Sequence, residues 1–306
     1  MPFVSVSNLK MHYEHACAGP AAVVLVHGNF ASWRWWLPLL QDPPAGYTLY
    51  APEMRGYGDS ERTADGYSVE QFAQDLDGFA DALGLDRFHL VGHSLGGAVA
   101  LQYALLFPGR LESLFLVSPA PAQGMPNLTV DFKTRYVMNL PPLAGTEDLP
   151  SFMGNSHVNR AILSRVLSSI TPQLNHESPA FSVLIEDAVR VAPEALQGIV
   201  QSLQKWNVEK QLPGLRLPVM ILWGSRDPVI ERRPLERMAA ALPRAELVVW
   251  EGTGHAPQLE QPERFRSLLA AFLRGDRVPD ELRGKGKRPG LSWIAELWRR
   301  LKAGRS

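Results

Sequence analysis

A single cysteine, Cys17, stands in 306 residues, so no disulfide can close within the chain. Such scarcity fits a reducing compartment, and the expectation is a cytoplasmic protein. Cys17 falls in a hairpin-like N-terminal stretch with no base beside it and reads as an ordinary residue. Net charge is also missing. The 31 Lys and Arg balance 31 Asp and Glu, which leaves nothing to attract nucleic acid. No apolar run approaches the ~20 residues that span a bilayer. The N-terminus lacks the basic-then-apolar order of a secretory signal. Of the eight histidines, His89 and His93 alone have His-x-x-x-His spacing, and they fall at the strand-like run before Ser94 rather than on a helix, so neither a metal nor an organic cofactor is expected.

What the chain has is an apolar fraction of 45%, enough for a full core, and the pentapeptide Gly92-His93-Ser94-Leu95-Gly96. The short apolar run 87–91 before it reads as a strand. The run 97–106 after it, rich in Ala and Leu, reads as a helix. A strand that turns abruptly into a helix leaves the turn residue protruding, and small neighbours let strand and helix approach. A serine there is an exposed hydroxyl beside a helix N-terminus, where backbone N–H groups can stabilise a developing oxyanion. The bland alternative is a glycine-rich packing turn.

A free serine hydroxyl is a poor nucleophile and needs a base. Two further turns supply candidates. Asp227 follows the buried-strand pattern 219–223, and His255 follows the strand pattern 247–250. Ser94, Asp227 and His255 therefore each lie just past the C-terminal end of a strand, the edge where open parallel sheets place their sites. Other segments have simpler readings. Residues 68–83 form a helix opened by Ser68 and Gln71 in a capping-box arrangement. Residues 3–15 form one or two strands. Between Pro119 and Val219 strands are not evident, and helices are expected near residues 158–170, 179–191 and 193–206.

Taken together, His27-Gly28-Asn29-Phe30, Arg55-Gly56-Tyr57-Gly58-Asp59-Ser60, the serine pentapeptide, Trp223 to Asp227, and Gly254-His255 with Glu260-Gln261-Pro262 resemble the α/β-hydrolase fold family over about residues 1–274. One position departs from the family habit: Glu53 stands where Asp is usual. The resemblance implies a mostly parallel eight-stranded sheet flanked by helices, with an inserted helical cap. It divides the chain into core (1–119), cap (120–212), core (213–274) and an appended segment (275–306). It implies an oxyanion hole from the backbone N–H of Leu95 and that of Asn29, with Phe30 the less favoured second donor. The acid position that some relatives use after the sixth strand offers no carboxylate here, since residues 118–122 are Ser, Pro, Ala, Pro and Ala.

Phe30, Trp33, His93, Phe132, Tyr136 and Trp206 are the candidates for lining a substrate pocket, each weighed against ordinary packing. Trp35 and Trp36 invite the same choice, and His27 and His93 are also expected to hydrogen-bond locally. An aromatic cleft favours small to medium lipophilic esters. The expected activity is carboxylic-ester hydrolysis through an acyl-enzyme. Lactonase, amidase, thioesterase and cofactor-free perhydrolase chemistry remain alternatives, as does a small-molecule receptor of the same fold. Ser94 is not the aspartate that dehalogenase-like and epoxide-hydrolase-like relatives use at this turn.

Nine Lys or Arg against four Asp or Glu give residues 276–306 a net charge of +5. Residues 283–290 read as a basic linker. Residues 291–302 read as a helix with Leu291, Trp293, Ile294, Leu297, Trp298 and Leu301 on one face. Such a helix suits docking on its own body or a neighbouring subunit, or peripheral contact with an anionic membrane.

Overall fold

Short apolar runs bounded by turn residues become strands: β1 (Phe3–Val6), β2 (Leu9–Cys17), β3 (Ala21–Val26), β4 (Tyr47–Pro52), β5 (Phe88–His93), β6 (Leu111–Val117), the two-residue β7 (Val130–Asp131) and β8 (Tyr136–Val137), β9 (Val219–Gly224) and β10 (Ala245–Trp250). The structure is a computed structural model, and it describes residues 2–7, 9–128, 130–131, 136–137 and 156–284. Eight strands form one sheet in the order β1-β2-β4-β3-β5-β6-β9-β10. β2 runs antiparallel to both its neighbours, and the strands from β4 to β10 pair in parallel. Among the described residues β7 and β8 pair with each other alone.

The helices are α1 (Leu37–Gln41), α2 (Val69–Ala82), α3 (Leu95–Leu106), α4 (Ser156–Ile170), α5 (Pro179–Val189), α6 (Pro193–Lys205), α7 (Arg232–Ala241), α8 (Pro257–Glu260), α9 (Pro262–Arg274) and α10 (Asp280–Arg283). Because both faces of a parallel sheet are covered, its central strands are apolar throughout. Val23, Leu25, Val91, Phe115 and Met220 point to a layer with Trp36, Leu39, Phe265 and Phe272. Val24, Val26, Leu90, Leu114 and Ile221 point to the opposite layer, with α2 and α3. α2 starts where the sequence said it would: Ser68 Oγ accepts from Gln71 N at 3.1 Å.

Several boundaries differ by a residue or two from the sequence reading. β5 continues past Val91 through Gly92 to His93, because His93 still pairs with Val117 of β6. α3 starts at Leu95, directly after the serine.

The chain leaves the sheet after β6 and returns at β9, and α4, α5 and α6 lie in this insertion. It is tied to the loops at the C-terminal ends of the strands. Asp187 of α5 accepts from Ser32 Oγ at 2.5 Å and from Arg34 Nη1 at 2.8 Å. Arg190 pairs with Asp59, and Ala192 N donates to Gly56 O at 2.9 Å. Met125 N donates to Leu203 O at 2.8 Å, and Val208 N to Ala122 O at 2.7 Å.

The segment after α9 reaches the expected linker at Arg283, where the structure differs from that expectation, and residues 285–290 lie outside the described residues. Its first part docks on β10. Val278 is buried, Trp250 Nε1 donates to Leu282 O at 2.6 Å, and Arg283 pairs with the buried Glu246 at 2.5 Å. A basic residue read as flexible is thus fixed by a carboxylate that needs a counter-charge. The amphipathic helix expected over 291–302 lies outside the described residues. Among the described residues no helix is long and apolar enough to cross a membrane.

Candidate active site

Ser94 occupies the sharp turn between β5 and α3 with φ 54° and ψ −116°. A non-glycine residue in this region stores on the order of 1–3 kcal/mol of strain, which persists only where its surroundings over-determine it. Here they do. Ser94 N donates to Val117 O at 3.0 Å, and its carbonyl accepts from Gly97 N at 2.9 Å and Ala120 N at 3.0 Å. The flanking glycines are required by close approach. A Cβ on Gly92 would stand 2.2 Å from Gly96 O, and one on Gly96 would stand 2.3 Å from Val26 O. The turn is thereby pressed onto β3, and Ser94 keeps 7% of its surface.

His255 comes from the turn after β10 and Asp227 from the turn after β9. His255 Nδ1 lies 2.7 Å from Asp227 Oδ2. An ionised carboxylate only accepts, so Nδ1 carries the proton and Nε2 is left with its lone pair. The other carboxylate oxygen of Asp227 accepts from Val229 N at 2.8 Å and Ile230 N at 3.1 Å. These two amides fix the direction in which the acid points.

The main chain of His255 is fixed as firmly. Its N–H donates to Ile170 O, the last carbonyl of α4, at 2.7 Å. Its carbonyl accepts from His93 Nε2 at 2.9 Å. The bond brings the His255 loop to the residue next to Ser94, with the His93 and His255 rings 4.8 Å apart. His93 is 1% exposed, stacked on Trp35, and burial holds its ring well below the usual histidine range, so it is neutral. With Nε2 donating, its Nδ1 faces the loop at Gly28, where a Cβ would approach to 2.8 Å.

The loop after β3 carries the second candidate oxyanion donor. His27 is also neutral, pushed down by burial. Its Nδ1 lies 2.8 Å from Gly28 O and its Nε2 accepts from Met54 N, so the Nδ1–H tautomer locks the loop. Asn29 Oδ1 accepts from Tyr57 OH at 2.8 Å and from Phe30 N at 3.0 Å. That engages Phe30 N, the less favoured donor of the two. Among the described residues, Leu95 N and Asn29 N donate to no hydrogen-bond acceptor.

The expected pocket residues fare unevenly. Phe30 is buried, with φ 54°. Trp33 is half-buried under the Arg34 guanidinium, 4.8 Å from the ring centre. Trp35 and Trp36 are core residues, and Trp36 lies 6.2 Å from Phe265. Trp206 is buried and donates to Gln102 Oε1 at 2.8 Å, which fixes the end of α6 to α3. The side chains of Phe132 and Tyr136 lie outside the described residues.

Comparison with known proteins agrees with this architecture. The family model for the alpha/beta hydrolase fold matches residues 21–262, most of the chain. The chain belongs to the α/β-hydrolase fold family. This hydrolase-fold chain is 27% identical over 285 residues to an uncharacterised protein of Mycobacterium tuberculosis, covering 89% of this chain and 81% of that one. It is 28% identical over 280 residues to a 2-hydroxy-6-oxononadienedioate/2-hydroxy-6-oxononatrienedioate hydrolase of Paraburkholderia phymatum, covering 87% and 92%. Among solved structures, a membrane phospholipase A described as a bacterial virulence factor superposes with TM-score 0.72 at 29% identity, covering 90% of this chain and 85% of that one.

The sequence reading did not single out several residues around this hydrolase-fold site. Tyr57 holds the Asn29 side chain. Ser32 and Asp187 join the loop after β3 to α5. Glu260 accepts from Gly254 N at 3.0 Å, Ala256 N at 3.2 Å and Gln173 N at 3.3 Å, while burial pushes its carboxyl above the usual glutamate range. Tyr57 and Glu260 stood within motifs already noted. Asp187 left no local signal, because its partners are more than 150 residues away in the chain.

Proposed function

We propose that this chain is a serine esterase that cleaves carboxylic esters of small to medium lipophilic substrates through an acyl-enzyme. The observation that carries the proposal is the 2.7 Å contact between His255 Nδ1 and Asp227 Oδ2, with the base loop bonded to the residue beside a strained Ser94. His255 Nε2 accepts the Ser94 proton as Oγ attacks the ester carbonyl carbon. Asp227 stabilises the imidazolium so formed. The oxyanion of the tetrahedral intermediate sits against Leu95 N–H and Asn29 N–H, and one such donor is typically worth about 3 kcal/mol. Collapse expels the alkoxide, which takes the proton from His255. Water then repeats the sequence, releasing the acid and restoring Ser94.

The insertion serves as the cap of this site. Its bonds to Ser32 and Arg34 on the oxyanion side, and to His255 on the base side, support that role. The preference for lipophilic esters rests on the aromatic run from Phe30 to Trp36 and on the likeness to a phospholipase.

The test compares wild type with Ser94→Ala on p-nitrophenyl acetate and butyrate, alongside labelling by a fluorophosphonate. Multiple turnovers by wild type, a kcat at least about a thousandfold lower in Ser94→Ala and labelling confined to Ser94 support the reading. Equal activity in the two proteins refutes it. A single turnover with a retained adduct identifies a receptor instead. Lactone, amide and thioester substrates in the same assay decide the bond preferred.

A further inference from the structure

The base is held from outside the three proposed catalytic residues, and the geometry points to Glu260 as a positioning residue that fixes the His255 loop to the insertion and sets a carboxylate against the amides on either side of His255. This rests on the proposed role of His255 as general base.

Three successive amides, those of Gly254, His255 and Ala256, all have partners, and those partners join two parts of the chain. The outer two donate to the two oxygens of the Glu260 carboxylate, and the middle one donates to Ile170 O. The Glu260 oxygen that takes Gly254 N also takes Gln173 N, just past the end of α4. The side chain of Gln173 donates in turn to Gly252 O at 2.7 Å. One carboxylate therefore closes a ring of bonds between the insertion and the base loop. Gly254 is what allows this approach, since a Cβ there would stand 2.3 Å from Pro172 Cδ and 2.5 Å from Ile170 O.

A carboxylate suits this place because it offers two acceptors to converging N–H groups and no donor. A glutamine presents one acceptor and one donor, so it sets an N–H against an amide of the loop. The charge has a second effect. Among the described residues, the titratable groups in contact with His255 are Asp227, from the turn after β9, and His93, at the end of β5, while Glu260, on α8, binds the amides on either side of His255. The insertion meets this loop through the main chain of Ile170 and Gln173 and the Gln173 amide. His93 is neutral, so Glu260 joins Asp227 in favouring the imidazolium that forms when Ser94 gives up its proton.

The experiment measures kcat, KM and the pH profile of kcat/KM for full-length wild type, Glu260→Gln and Glu260→Asp on p-nitrophenyl butyrate, with the His255 ring followed by 15N NMR. Loss of the acceptor displaces the base, so Glu260→Gln lowers kcat by about 10- to 100-fold with KM near wild type. Loss of the charge moves the acid limb of the profile to lower pH by about one unit. Glu260→Asp keeps the charge but cannot span both amides, so kcat falls while the acid limb stays in place. Wild-type kcat and an unmoved limb in Glu260→Gln overturn the inference, as does a loss confined to KM. If Glu260→Gln does not fold, an undiminished kcat in Glu260→Asp overturns it. If wild type shows no Ser94-dependent hydrolysis, the esterase reading fails separately. The ring titration then decides: a move to lower pH in Glu260→Gln alone supports the role of Glu260, and no move refutes it.

Discussion

Replacing Asp227 with asparagine separates the chemistry of the site from its architecture. Among the described residues the Asp227 carboxylate accepts three hydrogen bonds, two from the amides of Val229 and Ile230 to one oxygen and one from His255 Nδ1 to the other. Asparagine can be placed in two ways. With its oxygen toward His255, its NH2 group faces two buried N–H donors, which are left unsatisfied at about 1–3 kcal/mol each. With its oxygen toward the two amides, the NH2 group faces His255 Nδ1, and the imidazole answers by moving its proton to Nε2. Exchange between neutral tautomers costs less than two orphaned amides, so the second arrangement wins. Folding then loses only about 1 kcal/mol. Catalysis loses far more, because Nε2 now carries a hydrogen and cannot accept the Ser94 proton. The expected fall in kcat is about ten-thousandfold, or roughly 5 kcal/mol in the barrier. Steady-state hydrolysis of p-nitrophenyl butyrate measures the first quantity and urea unfolding the second. An Asn variant that keeps a tenth of wild-type kcat, or that loses stability in proportion to activity, refutes the argument.

Two other perturbations have definite outcomes. Gly96→Ala places a methyl 2.3 Å from Val26 O and 2.4 Å from His27 O. Backbone oxygens yield little, so urea unfolding should show a loss of about 2–3 kcal/mol; wild-type stability would mean that β3 has room to move. Burial pulls His89 down to about 4 from 6.5. Its stabilising neutrality is complete above pH 6.5 and is lost as pH falls toward 4, because the unfolded chain takes up the proton first. At pH 5 this amounts to about 2 kcal/mol, so the stability lost between pH 7 and pH 5, measured by urea unfolding, should be about 2 kcal/mol smaller in His89→Asn than in wild type.

The positions of Ser94, Asp227 and His255 just past β5, β9 and β10 were legible in the sequence because each follows an apolar strand, and a parallel sheet brings such ends to one edge. The order of elements was legible for the same reason, since strand and helix periods alternate plainly outside the insertion. What could not be read is the set of bonds that cross between distant segments. His93 looked like a pocket residue, yet its ring is occupied with the carbonyl of a residue 162 positions away. Asp187 carried no signal in its own segment, yet it is buried against Ser32 and Arg34. Arg283 looked like part of a linker, because nothing local shows that Glu246 lacks a counter-charge. Such contacts depend on which surfaces the fold presses together, and spacing along one chain carries no record of that.

The insertion departs from and rejoins strands that are themselves paired, with Leu114 of β6 opposite Val219 of β9. Its two anchor points are therefore set by the sheet, whatever lies between them. Closing a flexible segment between fixed ends costs little more as it grows, only about 0.6 kcal/mol for each doubling of its length. Such a junction tolerates exchange of the inserted segment as far as the sheet is concerned, provided the replacement again supplies partners for Ser32, Arg34 and the His255 amide.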